Sequence, residues 1–140
     1  MQPAPHPAFK PLMKALKRTH VPLLLPGWLP PGPAYASIES VTPNRYSINL
    51  GLVPGCGGDA CSLGSVEGET IARSTPPLRG RPIVLPRHIT GYFMPFRCGA
   101  SCGESTIGWT LRGYRYTFGI KGGSLKQLKR MATSALVDAR

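Results

Sequence analysis

Residues Ile83–Leu136 read IVLPRHITGYFMPFRCGASCGESTIGWTLRGYRYTFGIKGGSLKQLKRMATSAL. Three apolar or aromatic runs separated by Gly-rich turns are followed by an amphipathic pattern. That order predicts a strand, a cysteine-bearing turn, a hairpin and a closing helix. The hairpin joins Thr106–Leu111 to Tyr114–Lys121 across Arg112-Gly113. Glycine at the second turn position suits a tight turn of the primed type, whose twist matches the flanking strands. Ile107, Trp109 and Leu111 fall on one face of the first strand. In its partner, Tyr114, Tyr116, Phe118 and Ile120 share a face, with Arg115, Thr117, Gly119 and Lys121 on the other. Gly122-Gly123 then breaks the strand. Ser124 stands three residues before Gln127, the spacing of a capping box. Leu125, Leu128, Met131, Ala132, Ala135 and Leu136 make one apolar stripe of a helix running to about Val137. Lys126, Lys129 and Arg130 would face water.

Upstream, Arg45–Val53 alternates Tyr46, Ile48, Leu50 and Leu52 against Ser47, Asn49 and Gly51, as a half-buried strand does. Tyr35–Val41, Pro82–Pro86 and Ile89–Phe93 are shorter strand candidates, and Gly64–Arg73 is a weak return strand. Gly91 marks a bulge or a close approach. Val21–Pro33 alternates apolar residues with prolines, which excludes a central strand. It predicts an extended arm with Leu23, Leu25, Trp28 and Leu29 against the core. Leu12–His20 has the apolar spacing of two helical turns, stopped by Pro22. The fold class is therefore α+β: an antiparallel sheet of about five or six strands, packed by a C-terminal helix, with a short N-terminal helix. Residues 1–11 read as a flexible Pro-rich leader, and 12–140 as a single domain.

Seventeen Lys and Arg stand against six Asp and Glu, a formal charge of +11. Such a field attracts anions. The basic residues are scattered, and no helix-turn-helix, zinc-finger or RNA-recognition signature accompanies them, so dedicated nucleic-acid binding is disfavoured. No run approaches the ~20 apolar residues of a membrane span. The basic stretch Lys10–Arg18 is not followed by an apolar segment and cleavage site, so no signal peptide is visible. Either the chain is cytoplasmic or its start lies inside a longer exported one.

Cys56 and Cys61 have the spacing C-x4-C, and Cys98 and Cys102 the spacing C-x3-C, each in a Gly-rich turn. Two local disulfides, Cys56–Cys61 and Cys98–Cys102, fit the even count and the small Pro/Gly-rich domain, although four cysteines allow three connectivities. A zinc site made by all four thiolates is the alternative, helped by the Gly-rich knuckles and the missing leader. Iron–sulfur and redox sites favour C-x2-C instead. A nucleophile at Cys98 or Cys102 would need a His partner that no local pattern supplies. His88 is the one histidine placed near the strands for a hydrolase reading; beside Arg87 in a turn it reads first as structural or exposed. Glu67 and Glu69 could share a strand face, but nothing in the sequence desolvates either carboxylate. The candidate binding surface is the hairpin: Trp109, Tyr114 and Tyr116 with Arg112, Arg115 and Lys121. If exposed, those rings could stack on a sugar or a base; as an alternating set, they read first as core.

The ordered set VPLLLP, RYSINLGL, C-x4-C-SLGSVEG, PIVLPRHITGYF, CGASC, the Trp109/Tyr114/Tyr116 hairpin and the helix ending MATSAL resembles an uncharacterised family of small bacterial proteins. The resemblance covers residues 12 to 137 and implies an exported or envelope-associated protein. The tail alone resembles C-terminal domains of membrane-bound anti-sigma-factor-like proteins. Neither likeness supplies an activity or a catalytic residue. The reading that results is a non-enzymatic extracytoplasmic domain, periplasmic or secreted, with no cofactor and a basic surface for an anionic or protein partner at the cell envelope. The alternatives are an intracellular zinc-stabilised module on nucleic acid and a hydrolase using His88.

Overall fold

The computed structural model describes residues 5–56 and 59–137. Its centre is an antiparallel sheet of β1 (Tyr35–Thr42), β2 (Arg45–Gly51), β3 (Ser62–Thr70), β4 (Arg81–Leu85), β5 (Ile89–Met94), β6 (Glu104–Leu111) and β7 (Tyr114–Lys121). The spatial order is β1-β2-β3-β7-β6-β5-β4. The count is seven, not five or six. All seven candidate segments form strands, the weak one included. β3, read as weak because of its Gly, Ser and Glu, is internal and pairs with both β2 and β7. Its glycines allow close approach. A Cβ on Gly68 would fall 2.5 Å from the Tyr46 ring, and one on Gly64 would fall 2.0 Å from the Gly119 carbonyl oxygen.

The two predicted local signals are present. Arg112 (φ 54°) and Gly113 (φ 87°) both take the left-handed conformation, as a primed turn requires. Helix α2 (Leu125–Leu136) begins at Ser124, whose side chain accepts from Gln127 N–H while the Gln127 side chain accepts from Ser124 N–H. Strand β2 ends at Gly51, so Leu52 lies outside the sheet and is exposed rather than on the buried face.

One sheet face is apolar: Tyr46, Ile48, Leu50, Val66, Ile107, Trp109, Tyr116, Phe118 and Ile120 are all buried. Trp109 stacks on Tyr116, with ring centroids 5.9 Å apart, and meets Phe118 edge-on at 5.0 Å. Two pieces cover this face. Helix α2 contributes Leu128, Met131, Ala132, Ala135 and Leu136. The N-terminal segment contributes Phe9, Leu12, Leu16, Val21, Leu25 and Leu29. In that segment a 3-10 turn, Pro7–Leu12, runs into the short helix α1 (Met13–Leu16). The sequence reading started the domain at residue 12; in the structure Phe9 is already buried in the core.

The arm has few backbone partners, and side chains supply them. Tyr46 Oη accepts from Leu24 N–H (3.2 Å), and Tyr116 Oη donates to the Pro22 carbonyl (2.8 Å). Ser134 of α2 accepts from Gly27 and Trp28 N–H (3.0 and 3.2 Å) and donates to Met131 C=O (2.7 Å). The Arg130 guanidinium lies 4.4 Å above the Trp28 ring. Arm and helix are thereby locked into one cover.

Burial pushes both phenols above their ordinary value of 10.0. Above pH 10 the folded state therefore holds protons that the unfolded chain has released. Stability is fully present below that pH and falls as pH rises beyond it. Tyr46→Phe and Tyr116→Phe should each cost about 1 kcal/mol near neutrality, the net value of a hydrogen bond. Urea unfolding at increasing alkaline pH should show a shallower decline for the double variant than for the native protein. Equal declines would mean that these phenols do not govern the alkaline limb.

Candidate functional site

Strand direction decides which loops meet. β2 ends and β3 begins at the same end of the sheet as the end of β5, the start of β6 and the end of β7. The β2–β3 turn holds a disulfide between Cys56 and Cys61, and the β5–β6 turn one between Cys98 and Cys102. The two stapled turns thus lie at one end of the molecule. Between them is a cleft of about 250 Å³ lined by Ser62, Ser101, Cys102, Gly103, Glu104 and Lys121. Glu104 and Lys121 occupy facing positions of β6 and β7. Glu104 lies over Gly119, where a Cβ would meet Oε1 at 2.0 Å, and accepts from Ser65 Oγ at 2.7 Å. Buried Ser105 ties the neighbouring loops together: its Oγ accepts from Phe96 N–H (3.0 Å) and donates to Gly123 C=O (2.5 Å). Tyr35, Leu52, Val53, Met94 and Phe96, exposed apolar side chains, flank this end.

The sheet face away from the core is polar. The segment 71–80 crosses it from the far end of β3 to the start of β4. There, Leu78 lies over Gly108, and the Arg115 guanidinium donates to the Pro76 carbonyl. A groove of about 290 Å³ runs beside this crossing, with Tyr92, Met94, Thr106 and Thr117 on its sheet side. Farther along the face, Arg45 and Glu67 form an exposed ion pair at 3.1 Å, worth roughly 0–1 kcal/mol. Ser47 Oγ bridges Glu39 (2.9 Å) and Glu67 (3.1 Å). Glu67 and Glu69 do share this face, half-exposed.

The predicted hairpin surface divides between the two sides of the sheet. Trp109 (0% exposed) and Tyr116 (1% exposed) are core side chains and offer no stacking platform. Strand alternation forces this: the face that carries them is the face α2 and the arm cover. Tyr114 is half-buried and packs against the same core. Arg115 and Lys121 lie on the polar face, at the crossing and the cleft respectively, and Arg112 is exposed in the turn. Ser62, Ser101 and Glu104 had no place among the predicted residues. Their meeting depends on β3 pairing with β7 rather than with β4, which no local pattern encodes.

With each sulfur bonded to another, the four cysteines present no thiolate to a metal or a substrate in this state. Among the described residues, no group of three or more His, Cys, Asp or Glu is placed to hold a metal ion. His88 is exposed in the β4–β5 turn with φ 59°, next to Arg87 with φ 65°. The pairing of Leu85 with Ile89 leaves three residues for that turn. No helix among the described residues is long and apolar enough to cross a membrane. No protein-family model, curated protein or solved structure matches this chain.

Each bridge closes a loop of five or six residues, which stabilises by about 2 kcal/mol on the chain-entropy account. Replacing either cysteine pair by serines should lower the thermal midpoint by roughly 6 °C, and replacing both should lower it additively. A calorimetric midpoint unmoved by either change would show that the turns hold without their staples. At the β4–β5 turn, His88→Gly and Arg87→Gly should each stabilise by about 0.5–1 kcal/mol, since glycine takes positive φ without a Cβ clash. Denaturant titration checks this, and a loss of stability would show side-chain contacts outweighing the backbone strain.

Proposed function

We propose that this chain is a non-enzymatic binding domain of an oxidising, extracytoplasmic compartment, presenting a basic surface to an anionic or protein partner at the cell envelope. The observation that carries the proposal is the pairing of all four cysteines into two local disulfides. Such bridges persist in the periplasm and outside the cell and are rare in a reducing cytosol. The resemblance to small exported bacterial proteins supports the same compartment.

The staples also bear on binding. They hold two loops and their exposed apolar side chains in one arrangement before any partner arrives, which reduces the entropy lost on association. The charge of +11 adds long-range attraction for anions. A periplasmic or secreted domain of this kind requires no cofactor. The hydrolase reading would need a cysteine or serine nucleophile beside His88, and the disulfide-bonded cysteines supply none.

Fused to an export leader in a bacterial host, the protein should accumulate in the periplasm with an intact mass four hydrogens below that of the reduced chain. Two disulfides should be located by peptide mapping. Free thiols after export, or a folded zinc-loaded form from the cytosol, would overturn the compartment. Turnover of ester or peptide probes that disappears in His88→Ala would overturn the non-enzymatic reading.

A further inference from the structure

Charge is unevenly divided between the two sides of the fold. The sequence has no Asp or Glu from residue 5 to 34 or from 122 to 137, the segments that form the cover. Glu39, Glu67, Glu69 and Glu104 belong to the sheet, Asp59 to the turn between β2 and β3, and Asp138 lies outside the described residues. The cover instead carries cations. Lys10, Lys14, Lys17 and Arg18 are exposed, while Phe9, Leu12 and Leu16 of the same turns are buried. On α2, Lys126, Lys129 and Arg130 are exposed at i, i+3 and i+4, opposite the buried stripe. Ser134 and the Arg130–Trp28 contact join the two pieces, so these cations belong to one side of one body. Among the described residues none of the seven forms an ion pair.

A second feature lies within this basic side. A recess of about 410 Å³ is lined by Pro5, His6, Pro7, Lys10 and Met13. Apolar walls with an ammonium at the rim suit a molecule that is anionic at one end and hydrocarbon at the other. A nucleic acid or a polysaccharide would use the cations and leave the recess idle. Trp28, half-buried under Arg130, adds an amphipathic ring of the kind found at bilayer interfaces.

We propose that the helical cover docks on an anionic phospholipid surface. Lys10, Lys14, Lys17 and Arg18 and the three cations of α2 face the headgroup phosphates. The recess beside Lys10 receives the upper hydrocarbon of one lipid. The disulfide-framed end, at the strand ends, stays free for a second partner. This assignment rests on the binding-domain reading and names its anionic partner.

Cosedimentation with vesicles tests it. Probes are vesicles of phosphatidylglycerol mixed with phosphatidylcholine, vesicles of phosphatidylcholine alone, and soluble polyphosphate. The native protein should partition onto the mixed vesicles, remain free of the neutral ones, and be released by high salt. Each cation near such a surface contributes about fivefold, so K126Q/K129Q/R130Q should lose about 100-fold in partitioning. The separate variant K10Q/K14Q/K17Q/R18Q should lose at least as much. The control R73Q/R79Q/R97Q removes three exposed positive charges from the polar-face crossing and the stapled end and should stay within about threefold, since charges beyond a Debye length of the surface are screened. All three variants change exposed side chains, and matched thermal midpoints confirm their folding.

Equal loss in the control, or none in both cover variants, would overturn the assignment to the cover. Binding of polyphosphate without binding of mixed vesicles would overturn the lipid while leaving an anionic partner in place. Binding of neither would remove both the lipid and the anionic partner.

Discussion

The fold depends on covering one broad apolar face with a segment that cannot hydrogen-bond like a helix or a strand. The N-terminal arm, rich in proline, crosses Tyr46 and Tyr116, which would otherwise be open to water. An extended arm on an apolar surface leaves its backbone groups without water or ladder partners, at a cost of about 1–3 kcal/mol for each buried unsatisfied group. The sheet meets this with two tyrosine hydroxyls and α2 with one serine. Gly68 makes the first of these contacts feasible, because only the absence of a Cβ lets the Tyr46 ring lie flat enough to reach Leu24. Arm, sheet and helix are therefore one cooperative unit, and the ordering of the N-terminal segment follows from the tyrosines beneath it.

Covering one face fully leaves the other to solvent, and the two sides differ in chemistry. The polar face carries the four sheet glutamates, with serine and threonine between them, crossed by a Pro-rich segment. The cover carries cations alone over its described residues. This separation has no role in packing, since exposed charges contribute little to stability. It gives the molecule an oriented field, so that encounter with an anionic partner is steered to a particular side. The stapled end lies at neither face but at the strand ends, where loop geometry is fixed by the bridges and by Ser105.

Local chemistry was legible where it is self-contained. Arg112-Gly113 encodes its turn through two positive φ values, and Ser124 and Gln127 encode their cap through mutual hydrogen bonds. The alternation in β2 and β7 and the stripe on α2 identified core side chains because burial follows from period alone. The cysteine pairing was favoured by count and spacing, and short loops of this kind close locally. In contrast, β3 was underrated: its glycines lower strand propensity, and their value appears only against Tyr46 and Gly119.

The sequence by itself determined the α+β class, the turn, the cap, the apolar faces and the charge imbalance, since each rests on contacts between near neighbours or on composition. Tertiary structure alone decided that Cys56–Cys61 and Cys98–Cys102 share one end, and that Ser62 and Glu104 meet. It also decided that the sheet glutamates lie away from the cations of the cover. These outcomes follow from strand order and from which face the arm covers. Both are set by pairings between residues distant in the chain, β3 with β7 above all, and no local period records them.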